Sequence, residues 1–234
     1  MGGGLRLGLG RRAARARHRG RGRDAILTAG AAREAAGPAV SLPTQSVFIA
    51  GTDTGVGKTH VSVQLLRRLA ELGFDVTGMK PVAAGAVRTA AGLRNDDAVD
   101  LAAAANVSFP YELINPVCFE LATSPHLAAR AAHASIDLNL IAASFRELAR
   151  RADIVVVEGA GGWLAPIDDR RTMEDVAVTL GLPVVLVVGI RLGSLSHALL
   201  TTQAIERSGL PFAGWVANRL DPSFASSEDY VRTI

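Results

Sequence analysis

Lys58, Thr59, Lys80, the pair Asp96 and Asp97, and Glu158 are the residues of this chain whose types and spacing suit phosphate chemistry. Lysine occurs only at positions 58 and 80, although the chain holds 25 Lys+Arg. Arginine does the work of surface solvation, so the two compact ammoniums stand out. An ammonium acts as a point charge on phosphate and shifts its pKa on burial, which a guanidinium does not. Lys58 closes the run Gly51-Thr-Asp-Thr-Gly-Val-Gly-Lys-Thr59. Gly55 and Gly57 let successive backbone amides face one anion. A helix starting there adds unpaired N–H groups and the positive end of its dipole. Lys58 then meets the outer phosphates, and the Thr59 hydroxyl meets a Mg²⁺.

The flanking elements fit that use. Val47 to Ala50 reads as a buried strand, and Val61, Leu65, Leu66 and Leu69 recur at helical spacing. Strand, glycine loop and a helix opening at Gly-Lys-Thr form the context that supports a P-loop. The match is loose: Thr52 stands where the pattern has glycine, and Gly51 to Gly57 spans one residue too many. The plainer alternative is a glycine turn followed by a surface lysine. Asp153 to Glu158 is a continuous β-branched run, read as a central parallel strand, and it ends in a carboxylate before Gly159-Ala-Gly-Gly162. Ligands of open α/β sheets bind beyond the carboxyl ends of the strands. Glu158 is therefore expected beside the P-loop, holding Mg²⁺ directly or through water, rather than as a solvated acid.

Between these pieces the sequence predicts a strand over 76–82 carrying Lys80, a small-residue loop over 83–92, and a helix from Asn95 to Asn106. Capping alone accounts for Asp96 and Asp97, though one of them is placed to reach a metal. Further on come an extended piece at 115–120, a turn at 123–126 with a helix to Ala134, and an amphipathic helix over 137–151. A helix at 173–180, a strand at 183–189, a loop at 190–197 and a helix at 198–208 follow. A strand at 212–218 and a helix from Ser226 complete the chain. His126, at a helix start, reads as a hydrogen-bonding residue before a catalytic one. Asn218 ends its strand with an amide suited to a purine edge. Amides and hydroxyls of the 190–197 loop suit an anion. The order is that of an α/β domain with a mostly parallel sheet between helical layers.

Composition bounds the rest. The 234 residues, 49% apolar, suit one large α/β domain. No apolar run is long enough to span a bilayer. A single cysteine, Cys118, excludes an internal disulfide and suits a reducing, cytoplasmic setting; its apolar neighbours predict a buried filler. The net charge of +3 hides an asymmetry. Residues 1–45 carry nine Arg against one Asp and one Glu, whereas the remainder carries 16 Lys+Arg against 20 Asp+Glu. The Arg-rich stretch 11–23 has no face to bury and is expected to be disordered. It reads as a nucleic-acid-binding arm, a transit-like segment, or translated sequence upstream of the true start, the last or a functionless arm being preferred.

Taken in order, the motifs resemble the dethiobiotin synthetase family over Ser46 to Ile234. They are Gly51 to Thr59, Lys80-Pro-Val-Ala-Ala-Gly85, Gly92-Leu-Arg-Asn-Asp-Asp97, Ser124-Pro-His126, Glu158-Gly-Ala-Gly-Gly162, Val188-Gly-Ile-Arg-Leu-Gly193 and Gly214-Trp-Val-Ala-Asn218. The first is similar to that family's longer phosphate loop, which accounts for Thr52.

The resemblance implies a P-loop NTPase-type three-layer α/β/α fold, a homodimer, and closure of a cyclic urea from 7,8-diaminononanoate, CO₂ and MgATP. It makes Lys80 and Lys58 catalytic and Thr59, Asp97 and Glu158 the Mg²⁺ ligands. Gly55, Val56, Gly57, Lys58, Thr59, His60, Asp97, Glu158, Gly159, Ala160, Gly161 and Asn218 become the nucleotide site. Thr54, Ala84, Gly193, Ser194 and Ser196 become the substrate site, the last three reaching across the dimer. Neither a membrane nor nucleic acid is expected as a partner. Ala84 stands where the family commonly has serine, and Arg219 follows Asn218. The family continues past a helix like 226–234 into a strand and an adenine loop, so the chain is expected to be shortened there. Amidoligases of the cobyrinic acid or CTP synthase kind share the loop but carry a glutaminase domain that 234 residues do not accommodate. A ParA-type DNA-binding switch uses an extra lysine early in the loop, and positions 51–56 have none.

Overall fold

The computed structural model describes residues 45–234 and the backbone of a two-residue strand at 7–8. The elements run β1 (Leu7–Gly8), β2 (Val47–Gly51), α1 (Lys58–Glu71), β3 (Val76–Met79), β4 (Val82–Ala83), β5 (Val87–Thr89), β6 (Gly92–Arg94) and α2 (Asp96–Ala104). Next come α3 (Tyr111–Ile114), β7 (Val117–Cys118), α4 (Pro125–Ala131), α5 (Leu138–Ala149), β8 (Ile154–Glu158) and α6 (Met173–Leu180). The chain ends through β9 (Val184–Ile190), α7 (Ser194–Arg207), β10 (Phe212–Arg219) and α8 (Ser227–Thr233).

The main sheet has the order β1-β10-β9-β2-β8-β3. Every pairing from β10 to β3 is parallel, and β1 adds antiparallel to β10. The expectation of a disordered arm over residues 1–45 otherwise lies outside the described residues.

Alternation along the strands builds the two helical layers. Phe48, Ala50, Val155, Val157, Val184, Leu186 and Val188 face one core with α5, α6 and α7. Ile49, Ile154, Val156 and Val187 face the other with Val61 and Leu66 of α1 and Leu101 of α2. Successive side chains of a strand point to opposite faces, so a doubly covered sheet needs apolar residues at every position. That is why these strands read as unbroken apolar runs. Among the described residues no helix is long and apolar enough to cross a membrane.

The connection after β2 runs towards β3 and the one after its neighbour β9 runs towards β10, so the two diverge and a crevice opens beyond the carboxyl ends of these strands. Register sets what meets there. Ile49 pairs with Glu158, so β8 and its terminal carboxylate stop beside the middle of β2, two residues before that strand runs into the phosphate loop.

Three expectations need correction. The strand carrying Lys80 stops at Met79, because the Lys80 N–H donates to Ile114 O at 2.7 Å and Pro81 has no N–H to continue a ladder. The chain resumes as β4, paired with β7. The loop over 83–92 instead holds the last residue of β4 and most of a hairpin, β5 with β6, whose register runs Val87↔Arg94 to Thr89↔Gly92. Helix α7 begins at Ser194 rather than Ala198, because Gly193 takes φ 91° as its N-cap and absorbs the turn.

Candidate active site

The phosphate loop leaves β2 at Gly51 and enters α1 at Lys58, with Gly57 at φ 89° as the N-cap. Lys58 is buried, and its Nζ donates to Asp53 O at 3.0 Å and to Gly161 O at 2.6 Å. It thus ties the loop to the glycines after β8. Burial, and next the nearby Lys80, lowers its pKa to about 8. Asp53 and Arg191, neither singled out by the sequence, pair at 2.9 Å and join the loop to the β9–α7 turn. Asn218 donates from Nδ2 to Val56 O at 2.9 Å, so its amide braces the loop.

Lys80 enters from the far side. Its Nζ donates to Glu158 Oε1 at 2.6 Å and Asp97 Oδ2 at 2.7 Å, and the residue is only 3% exposed. Burial alone would lower its pKa, but Glu158 and Asp97 outweigh that and leave it raised. Asp97 is itself held below the usual range: burial acts upward, and the Lys80 ammonium more than offsets it. Thr59 Oγ1 lies 2.8 Å from Asp97 Oδ1 and 2.9 Å from Glu158 Oε1. A hydroxyl has one proton, so it serves one carboxylate at a time. Glu158 Oε2 is buried with no partner among the described residues.

This set of oxygens fits a hard divalent cation. Among the described residues no three His, Cys, Asp or Glu side chains converge. Two carboxylates and a hydroxyl, with phosphate oxygens to complete the shell, is the kind of site Mg²⁺ uses. The unpartnered Oε2 of Glu158 is an acceptor of the kind such a cation takes.

Asn95 positions Asp97. Its side chain caps α2 by accepting from Ala98 N, and its N–H donates to the Tyr111 hydroxyl at 2.8 Å. Its Nδ2 donates to Ala84 O at 3.4 Å, which ties the backbone of position 84 to the start of α2.

These groups line one cleft of about 770 Å³. Thr54, Gly55, Gly57, Lys58, Thr59, Lys80, Ala84, Asp97, Glu158, Ala160 and Gly161 all border it. Asp53, Asn95 and Ser124 border it as well, unanticipated as site residues. Other expected site residues lie elsewhere. Val56 is in the core. His60 is exposed on α1 away from the cleft. Gly159 packs against Phe48 and Met173, its carbonyl accepting from Lys80 at 3.4 Å. Gly193, Ser194 and Ser196 do not border the cleft, and Ser194 is buried, its Oγ accepting from Arg191 N at 3.5 Å. Asn218 faces the loop backbone, a contact that strand position alone does not disclose. Cys118 is half-buried rather than buried.

A family model described as an AAA domain matches residues 45–234. Three solved structures are similar in fold. The Aquifex aeolicus MinC:MinD cell division protein complex has 20% identity, with 80% of this chain and 76% of that chain covered, at a TM-score of 0.48. A ParA family ATPase from Chlorobium tepidum TLS has 17% identity, 80% of each chain covered and a TM-score of 0.46. The kinase domain of the Escherichia coli tyrosine kinase ETK has 15% identity, 79% and 73% covered, and a TM-score of 0.42. Likenesses this distant say nothing of activity.

Proposed function

The chain belongs to the AAA domain family, whose fold here is an ATP-binding P-loop domain, and from that premise we propose that it is an ATP- and Mg²⁺-dependent cyclo-ligase of the dethiobiotin synthetase kind. One observation carries the reading: a second buried lysine, Lys80, sits between Asp97 and Glu158 in the cleft that Lys58 and Thr59 border. Binding ATP needs only the loop and its own lysine. A second fixed cation suits a second anion that must approach the γ-phosphate, as a carbamate does. Ala83, Ala84, Ala122 and Pro125 on the cleft wall suit an aliphatic chain.

In this reading one amine of 7,8-diaminononanoate captures CO₂ as a carbamate. The carbamate oxygen takes the γ-phosphoryl group, and the other amine attacks the carbonyl carbon, expels phosphate and closes the urea. Lys58 contacts the outer phosphates, and Lys80 stabilises charge on the carbamate and the transferring group. Thr59, Asp97 and Glu158 would hold a Mg²⁺, which would supply neutralising charge at the phosphates. Gly55, Gly57, Ala160 and Gly161 border the nucleotide, with Asn218 behind the loop, and Thr54 and Ala84 border the diamine. Gly193 to Ser196 serve the substrate carboxylate of a partner subunit. Exposed Leu192, Leu199 and Leu200 on the same segment support a second copy packing there. A sedimentation mass equal to one chain at micromolar concentration would remove the dimer.

Labelled bicarbonate tests the chemistry. Label is expected in an acid-stable product only when the diamine, ATP and Mg²⁺ are all present. A simple carbamate loses CO₂ in acid, whereas a cyclic urea keeps it, so a monoamine analogue traps none. ATP hydrolysis that DNA stimulates and the diamine leaves unchanged would replace this reading with a DNA-binding switch.

A further inference from the structure

Each of the two C–N bonds in the proposed reaction forms from a nitrogen lone pair and must shed an N–H proton. The ionisable groups at the phosphate end are engaged otherwise. Lys58 and Lys80 are donors, to carbonyls and to carboxylates. Asp97 and Glu158 accept from Lys80 and Thr59.

Ser124 lies at another part of the wall. It is the N-cap residue of α4, a position where a serine hydroxyl ordinarily accepts a backbone N–H. It makes no such bond. Its Oγ lies instead 3.0 Å from His126 Nδ1. His126 is absent from the cleft wall and borders a second, smaller cavity of about 250 Å³. Ser124 thus borders one cavity and His126, in contact with its hydroxyl, borders another. Charged groups beside the ring come in pairs: Arg130 with Asp169 at 2.9 Å, and Arg171 with Asp168 at 2.6 Å.

We infer that Ser124 and His126 form a proton relay that carries amine protons out of the cleft into the second cavity. The inference rests on the cyclo-ligase reading. The attacking amine gives its proton to Ser124 Oγ as the hydroxyl proton passes to Nδ1 of a neutral His126 that carries its hydrogen on Nε2. The resulting imidazolium releases the Nε2 proton to water in the second cavity. The hydroxyl is restored with the amine's proton. The ring, left with its hydrogen on Nδ1, regains its starting tautomer by taking one proton from water at Nε2 and giving one to water from Nδ1, with no net proton moved. Ser124 is the catalytic residue of the pair, and His126 acts through it.

The test follows label fixation in His126→Ala, Ser124→Ala and Ser124→Thr, with nucleotide affinity measured alongside. His126→Ala is expected to lower the rate at neutral pH by on the order of 10²-fold, in the range of general acid–base catalysis, with nucleotide affinity unchanged. Added imidazole, which fits the second cavity, restores much of that rate in His126→Ala and none in Ser124→Ala. Ser124→Thr keeps most of the activity because it keeps the hydroxyl. A wild-type rate in His126→Ala overturns the relay, as does a loss that imidazole leaves untouched. A wild-type protein that fixes no label overturns the cyclo-ligase reading and the relay together, whereas an active wild type beside an unaffected His126→Ala removes the relay alone.

Discussion

Lys80→Ala is expected to remove turnover by about 10²–10³-fold while leaving nucleotide binding intact, and Lys58→Ala to remove nucleotide binding itself. The two ammoniums differ in what they touch. Lys58 belongs to the loop, between Asp53 O and Gly161 O, where phosphates of a bound nucleotide are expected. Lys80 stands beyond, against Glu158 and Asp97, and meets charge that develops during transfer. Stability needs separate control. Lys80→Ala strips the ammonium from Glu158, which is wholly buried, and breaking a buried pair costs about 3–5 kcal/mol. Lys80→Ala combined with Glu158→Gln should recover much of that stability and none of the turnover. Calorimetric ADP titration and thermal melts read the two effects apart. Equal loss of nucleotide affinity in both single lysine variants would contradict the division of labour.

Gly57→Ala is expected to damage the loop far more than Gly55→Ala, although both glycines hold positive φ, at 89° and 73°. An L-residue there costs roughly 1–2 kcal/mol of backbone strain at either site. At Gly55 the added methyl meets nothing within 4 Å. At Gly57 it falls 2.1 Å from Asn218 Nδ2, the group that holds Val56 O. The amide must swing away, which loses a hydrogen bond worth about 1 kcal/mol and frees the loop on one side. Gly57→Ala should therefore weaken ATP binding at least about tenfold, a loss of roughly 1.4 kcal/mol, with Gly55→Ala close to wild type. Matching affinities for the two variants would show that Asn218 does not brace the loop.

Much of this arrangement is legible in the sequence. Glu158 is readable because a β-branched run ends in an acid and then in glycines, and doubly buried parallel strands carry ligands at that end. The phosphate loop is readable despite Thr52, because strand, glycines and helix periodicity surround it. The hairpin β5–β6 is not readable: its strands, Val-Arg-Thr and Gly-Leu-Arg, are only three residues long and too short to show alternation. The early start of α7 is hidden for a related reason, since Gly193 reads as loop until its dihedrals reveal a cap.

The sequence by itself determined which segments become the buried strands, where the loop that faces phosphate begins, and that Lys58 opens a helix there. These are local matters of periodicity, β-branching and glycine freedom, and each acts within a few residues. Only the tertiary structure decided who meets whom. Lys80 and Glu158 are 78 residues apart, and their contact depends on β3 and β8 lying side by side in one register. Asp53 and Arg191 meet across 138 residues because β9 lies next to β2. Asn218 reaches Val56 across 162 residues. Ser124 and His126 are neighbours in the chain, yet only the packing of α4 sets one on the cleft and the other on a second cavity. Pair identities of this kind follow from strand order and helix docking, which no local preference encodes.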